Sequence, residues 1–188
     1  MTLGLGDKVL GLHRMLAQAE LPHAFGGALA LAFCTQEPRG TKDIDVNVFV
    51  GTEGVGVLAA ALRPEIDLDD SAATLLRRDA QARLWWGQTP VDVFLSNHPF
   101  HDDVHTRVRH VPFGHLDKLP VLACTDLAVF KAFFARPKDV LDVATMASAR
   151  TVNLDELRSS VATLMGGDAE RRDFFAKVVD TTTELSGR

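Results

Sequence analysis

Alternating apolar and polar residues predict several short strands in the first part of the chain. The clearest alternation falls in 42–50, where Ile44, Val46 and Val48 occupy every second position. The segment 87–90 is rich in turn-forming residues and separates two apolar runs, which predicts a β-hairpin. The predicted strands are 21–25, 42–50, 82–86, 91–95 and 106–111.

Helical spacing dominates the rest of the chain. In 7–20, Val9, Leu12 and Leu16 recur at the three- and four-residue intervals of an amphipathic helix. The predicted helices are 7–20, 27–34, 56–62, 125–135, 137–149, 153–165 and 168–182. We therefore predict an α/β core over 1–115 and a helical C-terminal subdomain over 116–188.

The composition narrows the class of protein. A chain of 188 residues, 46% of them hydrophobic, can bury the core of one domain, or of one domain with an appendage. No apolar run approaches the ~20 residues that a membrane span needs, and the N-terminal segment lacks the pattern of a signal peptide. A net charge of −5 argues against a protein that coats nucleic acid without sequence preference. The same net charge is compatible with a local basic patch.

The two cysteines, Cys34 and Cys124, are far apart in sequence and form no CxxC motif. This usage is typical of small core residues in a reducing cytosol. We therefore predict unpaired cysteines and a cytoplasmic location.

Three aspartates interrupt segments that are otherwise strongly strand-forming. Asp43 and Asp45 lie two residues apart, so in a strand they point to the same face, ~7 Å apart at their α-carbons. Asp92 is again one carboxylate inside an apolar strand. If its strand pairs beside the first, the three carboxylates converge and suit Mg²⁺ and phosphoryl chemistry. The alternative is that Asp43 and Asp45 line the solvent face of a half-exposed sheet.

A glycine pair, Gly26–Gly27, lies between a predicted strand and a predicted helix, just ahead of these aspartates. Glycine lets a backbone approach a ligand closely, and a helix N-terminus favours phosphate. A tight turn without a ligand is the alternative for the pair taken alone. Its combination with the strand aspartates favours a phosphate site.

This ordered set resembles the signature of the DNA polymerase β-like nucleotidyltransferase superfamily. Gly26 and Gly27 match its small-residue pair, Asp43 and Asp45 match its strand carboxylates, and Asp92 matches its third carboxylate. The resemblance implies a polymerase β-like α/β core with a mixed sheet and a C-terminal helical bundle. It also implies that the glycines cradle nucleotide phosphates, that Asp43 and Asp45 hold Mg²⁺, and that Asp92 assists the metal or acts as general base.

A narrower resemblance is to the AbiEii/MenT-type nucleotidyltransferase toxins of bacterial toxin–antitoxin systems. Their leading motif, Arg-x-Thr/Ser-x-Asp, is matched by Arg39-Gly40-Thr41-Lys42-Asp43. The resemblance implies that Arg39 and Thr41 lie at the substrate. Thr41 would neighbour the phosphates and would be a place where an antitoxin adds a phosphate that blocks the site. The alternative for Thr41 is a hydroxyl at the entry to a strand.

The same resemblance extends to the helical part, through the helix that carries Lys131 and the run 136–142. It implies that Lys131 or Lys138 neutralises the triphosphate and that Asp142 orients one of these lysines. Alternatively, Lys131 is a solvated residue that flanks a buried stripe of Leu127, Phe130 and Phe134. Lys138 and Asp142 would then be a surface ion pair at i,i+4.

The implied activity is Mg²⁺-dependent transfer of nucleotides from a nucleoside triphosphate to RNA, at the tRNA 3′ end, which would block aminoacylation and translation. The implied partners are RNA and a cognate antitoxin. Two alternatives stay open: transfer to a small aminoglycoside-like molecule or a protein side chain, and an inactive nucleotide-binding module.

Four other groups of residues carry weaker chemistry. The histidines of 98–105 are compatible with zinc but favour a polar loop, and the acidic residues of 67–70 favour a solvated loop. One of Trp85 and Trp86 faces the core, while the other packs at an edge or stacks on a base. The arginines best placed to bind an RNA backbone, the basic set, are Arg77, Arg78, Arg83, Arg107 and Arg109. The alternative is that each is an ordinary surface residue. Arg107 and Arg109 share a face of a predicted strand.

Overall fold

The computed structural model describes residues 3–37 and 40–187. The strands are β1 His23–Phe25, β2 Ile44–Val48, β3 Gln81–Trp86, β4 Thr89–Leu95, β5 Arg109–Phe113 and β6 Leu116–Val121. The helices are α1 Leu5–Gln18, α2 Gly27–Thr35, α3 Val55–Leu62, α4 Asp70–Asp79, α5 Phe100–Thr106, α6 Cys124–Phe134, α7 Pro137–Ser148, α8 Leu154–Met165 and α9 Ala169–Ser186, with a short 3-10 turn at Thr52–Gly54.

The strands form one mixed sheet in the order β3-β4-β2-β1-β6-β5. β2 pairs parallel with β4, and β1 pairs parallel with β6. The pairs β1–β2, β3–β4 and β5–β6 are antiparallel. In β2 the apolar residues Ile44, Val46 and Val48 are buried, because side chains alternate between the two faces of a strand. The predicted α/β fold class with a mixed sheet is confirmed.

The chain divides into two compact units. The sheet unit comprises 1–29 and 40–122, and the helical unit comprises 30–39 and 123–188. The predicted division at 115/116 differs, because β6 completes the sheet after residue 115 and part of α2 belongs to the helical unit. Among the described residues, no helix combines the length and the apolar character that crossing a membrane requires.

The β3–β4 hairpin is confirmed, with a tighter turn than predicted. Trp86 pairs directly with Thr89, so the loop is only Gly87-Gln88, and Gly87 has φ +61°. The buried Lys8 of α1 stabilises the turn through its side chain. Its Nζ donates hydrogen bonds of 2.8 Å to the Trp86 carbonyl and 2.7 Å to Oγ1 of Thr89.

The solvated loop predicted at 67–70 is confirmed for Asp67 and Asp69, which are exposed and precede α4, whereas the histidine-rich segment predicted as a loop is helical. The acidic residues of 67–70 introduce α4, because Asp69 is its N-cap and accepts a 2.7 Å bond from the Ala72 backbone N–H. The histidine-rich segment forms α5, whose Val104 is fully buried. Arg107 caps the end of α5 and Arg109 begins β5, so the prediction that these two share a strand face is wrong.

The cysteine prediction is also wrong, since Cys34 and Cys124 form a disulfide within the helical unit. The end of α2 and the start of α6 bring their α-carbons to 5.6 Å, although 90 residues separate them in sequence. Disulfides are rare in a reducing cytosol. The cysteines therefore no longer support the cytoplasmic location, which stays a prediction.

The four predicted C-terminal helices are present as α6 to α9. Pro137 occupies the first turn of α7, where its missing N–H costs no hydrogen bond. Asn153 caps α8, and its side chain accepts bonds of 3.1 and 3.2 Å from the backbone N–H groups of Asp155 and Glu156. These local signals explain why the boundaries in this part of the chain were predictable.

Candidate active site

The glycine pair lies directly against Asp45. The Gly26 backbone N–H donates a 2.9 Å hydrogen bond to the Asp45 carbonyl. Gly27 has φ +51°, which glycine adopts without strain. A Cβ atom on Gly27 would overlap the Asp45 carboxylate. Both the backbone conformation and the space therefore require glycine at position 27.

Strand register aligns this pair with three charged side chains. Asp45 in β2 is the direct partner of Asp92 in β4, and Asp92 is the direct partner of Arg83 in β3. Gly26 extends the line to β1 through its bond to Asp45. We call Gly26, Asp45, Asp92 and Arg83 the site row. The strand of Asp92 thus lies beside that of Asp45, which meets the condition for the carboxylates to converge. Directly paired residues share a face of the sheet, so Asp45 and Asp92 lie on one face.

Asp43 lies one residue before the start of β2, on the approach to the site row. The Thr41 hydroxyl donates a short hydrogen bond to its carboxylate oxygen Oδ1. Thr41 is therefore in contact with one of the predicted metal ligands. Arg39 lies outside the described residues.

Arg83 is the site residue that the sequence analysis misplaced, since it was assigned only to a basic set. Its Nε and Nη2 each donate a 2.7 Å hydrogen bond to the Asp92 carboxylate, one to each oxygen. These bonds, the Asp92 charge and the more distant charges of Asp43 and Asp45 raise the pKa of Arg83 above its usual value. The guanidinium therefore carries a permanent positive charge in the field of all three aspartates.

The aspartates fit Mg²⁺ in their chemistry, because hard carboxylate oxygens are its preferred protein ligands. In the part of the chain that the structure describes, no group of three or more His, Cys, Asp or Glu side chains is arranged to hold a metal ion. Both oxygens of Asp92 bind Arg83, whose guanidinium supplies a positive charge beside the acidic residues. Asp43 and Asp45 would hold an Mg²⁺ ion together with phosphate and water oxygens, since Mg²⁺ is commonly bound by only one or two carboxylates.

The helical unit contains a separate charged cluster around Lys131. Lys131 Nζ lies 2.6 Å from Oδ2 of Asp142 and 3.5 Å from Oδ1 of Asp139, and all three side chains are buried. The structure thus pairs Asp142 with Lys131 and leaves Lys138 exposed, instead of the surface pair Lys138–Asp142. The predicted orienting partner of Asp142 is therefore Lys131.

Arg136 completes this cluster from the surface. Its Nε donates a 2.7 Å bond to Oδ2 of Asp139. Burial by itself would raise the pKa of Asp139, but the Arg136 hydrogen bond and the Lys131 charge together hold that pKa below its usual value. The predicted buried stripe holds for Leu127 but not for Phe134, which is 39% exposed.

The remaining arginines of the basic set are dispersed. Arg77 and Arg78 lie in the last turn of α4, and Arg78 forms a bidentate pair with its neighbour Asp79. Among the five arginines, only Arg83 lies in the site row. The structure therefore does not assemble the set into one basic strip on a strand.

Known proteins resemble this chain in fold. No family model matches the chain, and no curated protein matches it significantly. The solution structure of the antibiotic-resistance factor ANT(2'')-Ia matches with a TM-score of 0.55 and 13% identity, over 97% of this chain and 98% of that one. The crystal structure of an antigenic nucleotidyltransferase-like protein from Paracoccidioides brasiliensis matches with a TM-score of 0.52 and 14% identity, over 97% and 90%. The chain thus has a nucleotidyltransferase-like fold.

Proposed function

We propose that this protein is an Mg²⁺-dependent nucleotidyltransferase that transfers a nucleotide from a nucleoside triphosphate to a hydroxyl group of RNA. The observation that carries the proposal is the site row, in which Asp45 and Asp92 are direct partners on adjacent strands and Gly26, just after β1, bonds to the Asp45 carbonyl. The nucleotidyltransferase-like fold supports it at the level of architecture.

The glycine pair and the aspartates of β2 and its approach have roles that follow from their places. Gly27 begins α2, so the first N–H groups of that helix are available to phosphate oxygens. Asp43 and Asp45 would hold Mg²⁺, which when bound neutralises phosphate charge and acidifies an attacking hydroxyl. Gly26 keeps the Asp45 backbone fixed through its hydrogen bond, and Gly27 leaves room for the Asp45 carboxylate beside the phosphates.

The transfer itself balances as a single displacement. The acceptor oxygen forms a bond to the α-phosphorus, the bond to the bridging oxygen breaks, and pyrophosphate leaves with that electron pair. Asp92 accepts the hydroxyl proton. Its carboxylate offers about four lone-pair sites, of which Arg83 uses two, so Asp92 can accept a proton while paired.

We propose the 3′ end of tRNA as the acceptor and growth arrest as the consequence, on the strength of the motif 39–43. A toxin of this kind requires a cognate antitoxin. Thr41 is a suitable target for one, because a phosphate there would add about two negative charges next to Asp43. Mass spectrometry of the protein co-expressed with its partner tests this point: an inhibited protein with unmodified Thr41 contradicts it. The roles predicted for Lys131 and Lys138 at the triphosphate stay predictions.

A second candidate is transfer to a small hydroxylated molecule or to a protein side chain. The fold likeness to an antibiotic-resistance factor, over nearly the whole of both chains, favours it. The same site row would serve this chemistry. A nucleotide-binding module without catalysis is the third reading, and the aligned carboxylates argue against it.

The test is incubation of the purified protein with total RNA, Mg²⁺ and each labelled nucleoside triphosphate in turn. Asp43→Ala removes a predicted metal ligand, and Asp67→Ala is its matched control, because Asp67 is an exposed carboxylate outside the site row that pairs with Arg63 at 3.9 Å. We expect label in a tRNA-sized band with the wild type and with Asp67→Ala, and none with Asp43→Ala. Asp43-dependent growth arrest without labelled RNA would favour another acceptor, and drug resistance on expression would favour a small molecule.

A further inference from the structure

We propose that Trp85 is the stacking platform for a nucleobase of the acceptor RNA. The inference rests on the proposed function and adds to it a recognition residue outside the glycine and carboxylate motifs.

The two adjacent tryptophans face opposite sides of β3. Trp86 is 8% exposed, and its ring packs onto α1, where a Cβ on Gly11 would come within 2.6 Å of it. Trp85 is 54% exposed. Strand alternation therefore assigns Trp86 to the core and leaves the Trp85 ring at the surface.

Trp85 shares its face with the site row. It lies two residues from Arg83 on the same strand, so both side chains point to the face that carries Asp92 and Asp45. Its direct cross-strand partner is Pro90, a rigid side chain that offers support but no hydrogen-bond donor. An exposed aromatic ring thus lies on the same face as the Arg83 guanidinium, two residues further along β3, and near the proposed reacting centre.

The position of Trp85 favours the acceptor over the donor nucleotide. The triphosphate is assigned to the Gly26–Gly27 end of the row at β1, and Trp85 lies at the opposite end on β3. Three strand spacings separate β1 from β3 in the sheet, or ~14 Å. The aspartates lie between these ends, where an acceptor hydroxyl and an α-phosphate would meet.

The chemistry of this surface matches single-stranded RNA. Aromatic rings bind bases by stacking regardless of sequence, and a nearby arginine attracts the backbone phosphate. A net charge of −5 provides no general attraction for a duplex. A stacked terminal base is a contact that an acidic protein can make with RNA without a broad basic surface.

The adjacent tryptophans provide an internal spectroscopic control. These are the only two tryptophans of the chain, so Trp86→Phe leaves Trp85 as the sole reporter and Trp85→Phe leaves Trp86. The probe is a short single-stranded RNA that ends in CCA, added with Asp43→Ala in the background to prevent turnover. We expect it to quench Trp85 fluorescence and to leave Trp86 fluorescence unchanged. Quenching by a nucleoside triphosphate alone, to the same extent, would overturn the assignment to the acceptor.

Steady-state kinetics test the same inference without the substitution of the buried Trp86. Trp85→Ala should raise the KM for RNA roughly 5- to 100-fold, with kcat and the KM for the triphosphate unchanged, and Trp85→Phe should restore most of the loss. An unchanged KM for RNA together with no quenching would overturn the proposal. If wild-type protein transfers nothing to RNA but the RNA still quenches Trp85, the proposed function fails while the subsite stands.

Discussion

Arg83 donates two hydrogen bonds of 2.7 Å to Asp92, one to each oxygen of its carboxylate. The pair lies across neighbouring strands in direct register, and its guanidinium also feels the charges of Asp43 and Asp45. The Arg83 guanidinium therefore already neutralises part of the negative charge to which we propose that Mg²⁺ binds.

Removal of that cation should strengthen metal binding. In Arg83→Gln the three aspartates lose a positive charge that acts on all of them, and because the Arg83 side chain is 53% exposed, solvent screening limits this interaction to about 1 kcal/mol. We expect the Mg²⁺ concentration that half-saturates transfer to fall about fivefold, measured by titration of activity. Arg78→Gln is the matched control, because Arg78 makes the same kind of bidentate pair with Asp79, outside the site row. An increased Mg²⁺ requirement in Arg83→Gln alone would contradict competition.

Gly27→Ala should impair both folding and transfer. The new Cβ atom would overlap the Asp45 carboxylate, and φ of +51° is strained for alanine. We expect destabilisation of about 1–3 kcal/mol and a loss of activity of at least roughly tenfold, since the metal ligand is displaced. Gly56→Ala serves as control because no atom lies within 4 Å of its Cβ position in α3. Urea unfolding and the transfer assay compare the two, and equal effects would refute the reasoning.

Lys131→Met should destabilise the helical unit severely. It leaves the buried carboxylates of Asp139 and Asp142 without their shared cation, and breaking a buried pair from one side costs about 3–5 kcal/mol. Lys138→Met, at an exposed position one turn from Asp142, should change stability by less than about 0.5 kcal/mol. Urea denaturation followed by circular dichroism measures both. A small effect at Lys131 would show that the cluster is not a stability element and would favour a role in phosphate binding.

Stability should fall between pH 6.5 and pH 4 because of His23. Burial, opposed by the Leu21 carbonyl and reinforced by the charge of His13, lowers the pKa of His23 to about 4. In this window the unfolded chain binds the proton and the folded chain does not, so the free energy of unfolding rises with pH. The contribution of His23 is complete above the pKa that His23 has in the unfolded chain. The contribution is about 3 kcal/mol.

Burial is the main cause of the lowered pKa of His23, and a histidine pair adds to it. The Nδ1–H of His23 donates to the Leu21 carbonyl at 2.7 Å, so its Nε2 accepts from Nδ1 of His13 at 2.9 Å. Urea unfolding at pH 7 and pH 4.5 should differ less in His23→Gln than in wild type. The exposed His98 provides the control variant His98→Gln, which should keep the wild-type difference. A wild-type pH slope in His23→Gln would contradict the assignment.

Loss of the disulfide should lower the free energy of unfolding by about 4–5 kcal/mol, the chain-entropy value for a loop of 90 residues. The measurement compares wild type, without reductant, with the double variant Cys34→Ser/Cys124→Ser. Unchanged stability would mean that the bond does not constrain the unfolded chain. Wild type in excess reductant should match the double variant.

The sequence predicted what depends on local pattern. Alternation in β2, the glycine pair and the capping residue Asn153 each determine structure within a few neighbouring positions. The alignment of Asp45 with Asp92 was an expectation conditional on strand pairing, and the register confirms it.

Features that depend on distant contacts were not predictable in the same way. A four-residue hairpin loop would place Arg83 opposite Phe94, and only the two-residue turn sets it against Asp92. That turn is held by Lys8, 78 residues away from Trp86. The Cys34–Cys124 bond likewise has no local signal. For α4 the signals were present in the cap Asp69 and the buried Leu76, but no helix was predicted between 70 and 79.

The disulfide also imposes an order on biosynthesis. Cys34 leaves the ribosome 90 residues before Cys124, which at 5–20 residues per second leaves its thiol without its partner for roughly 5–18 s. β1 is already synthesised by then, strands β2 to β6 are synthesised during that interval, and the last of them ends at Val121, three residues before Cys124. The sheet can therefore assemble while the helical unit still lacks most of its chain. If the Cys34 thiolate attacked another disulfide in that interval, the mixed disulfide formed, with release of the other thiol, would leave a nascent protein that has its strands but cannot form the Cys34–Cys124 bond.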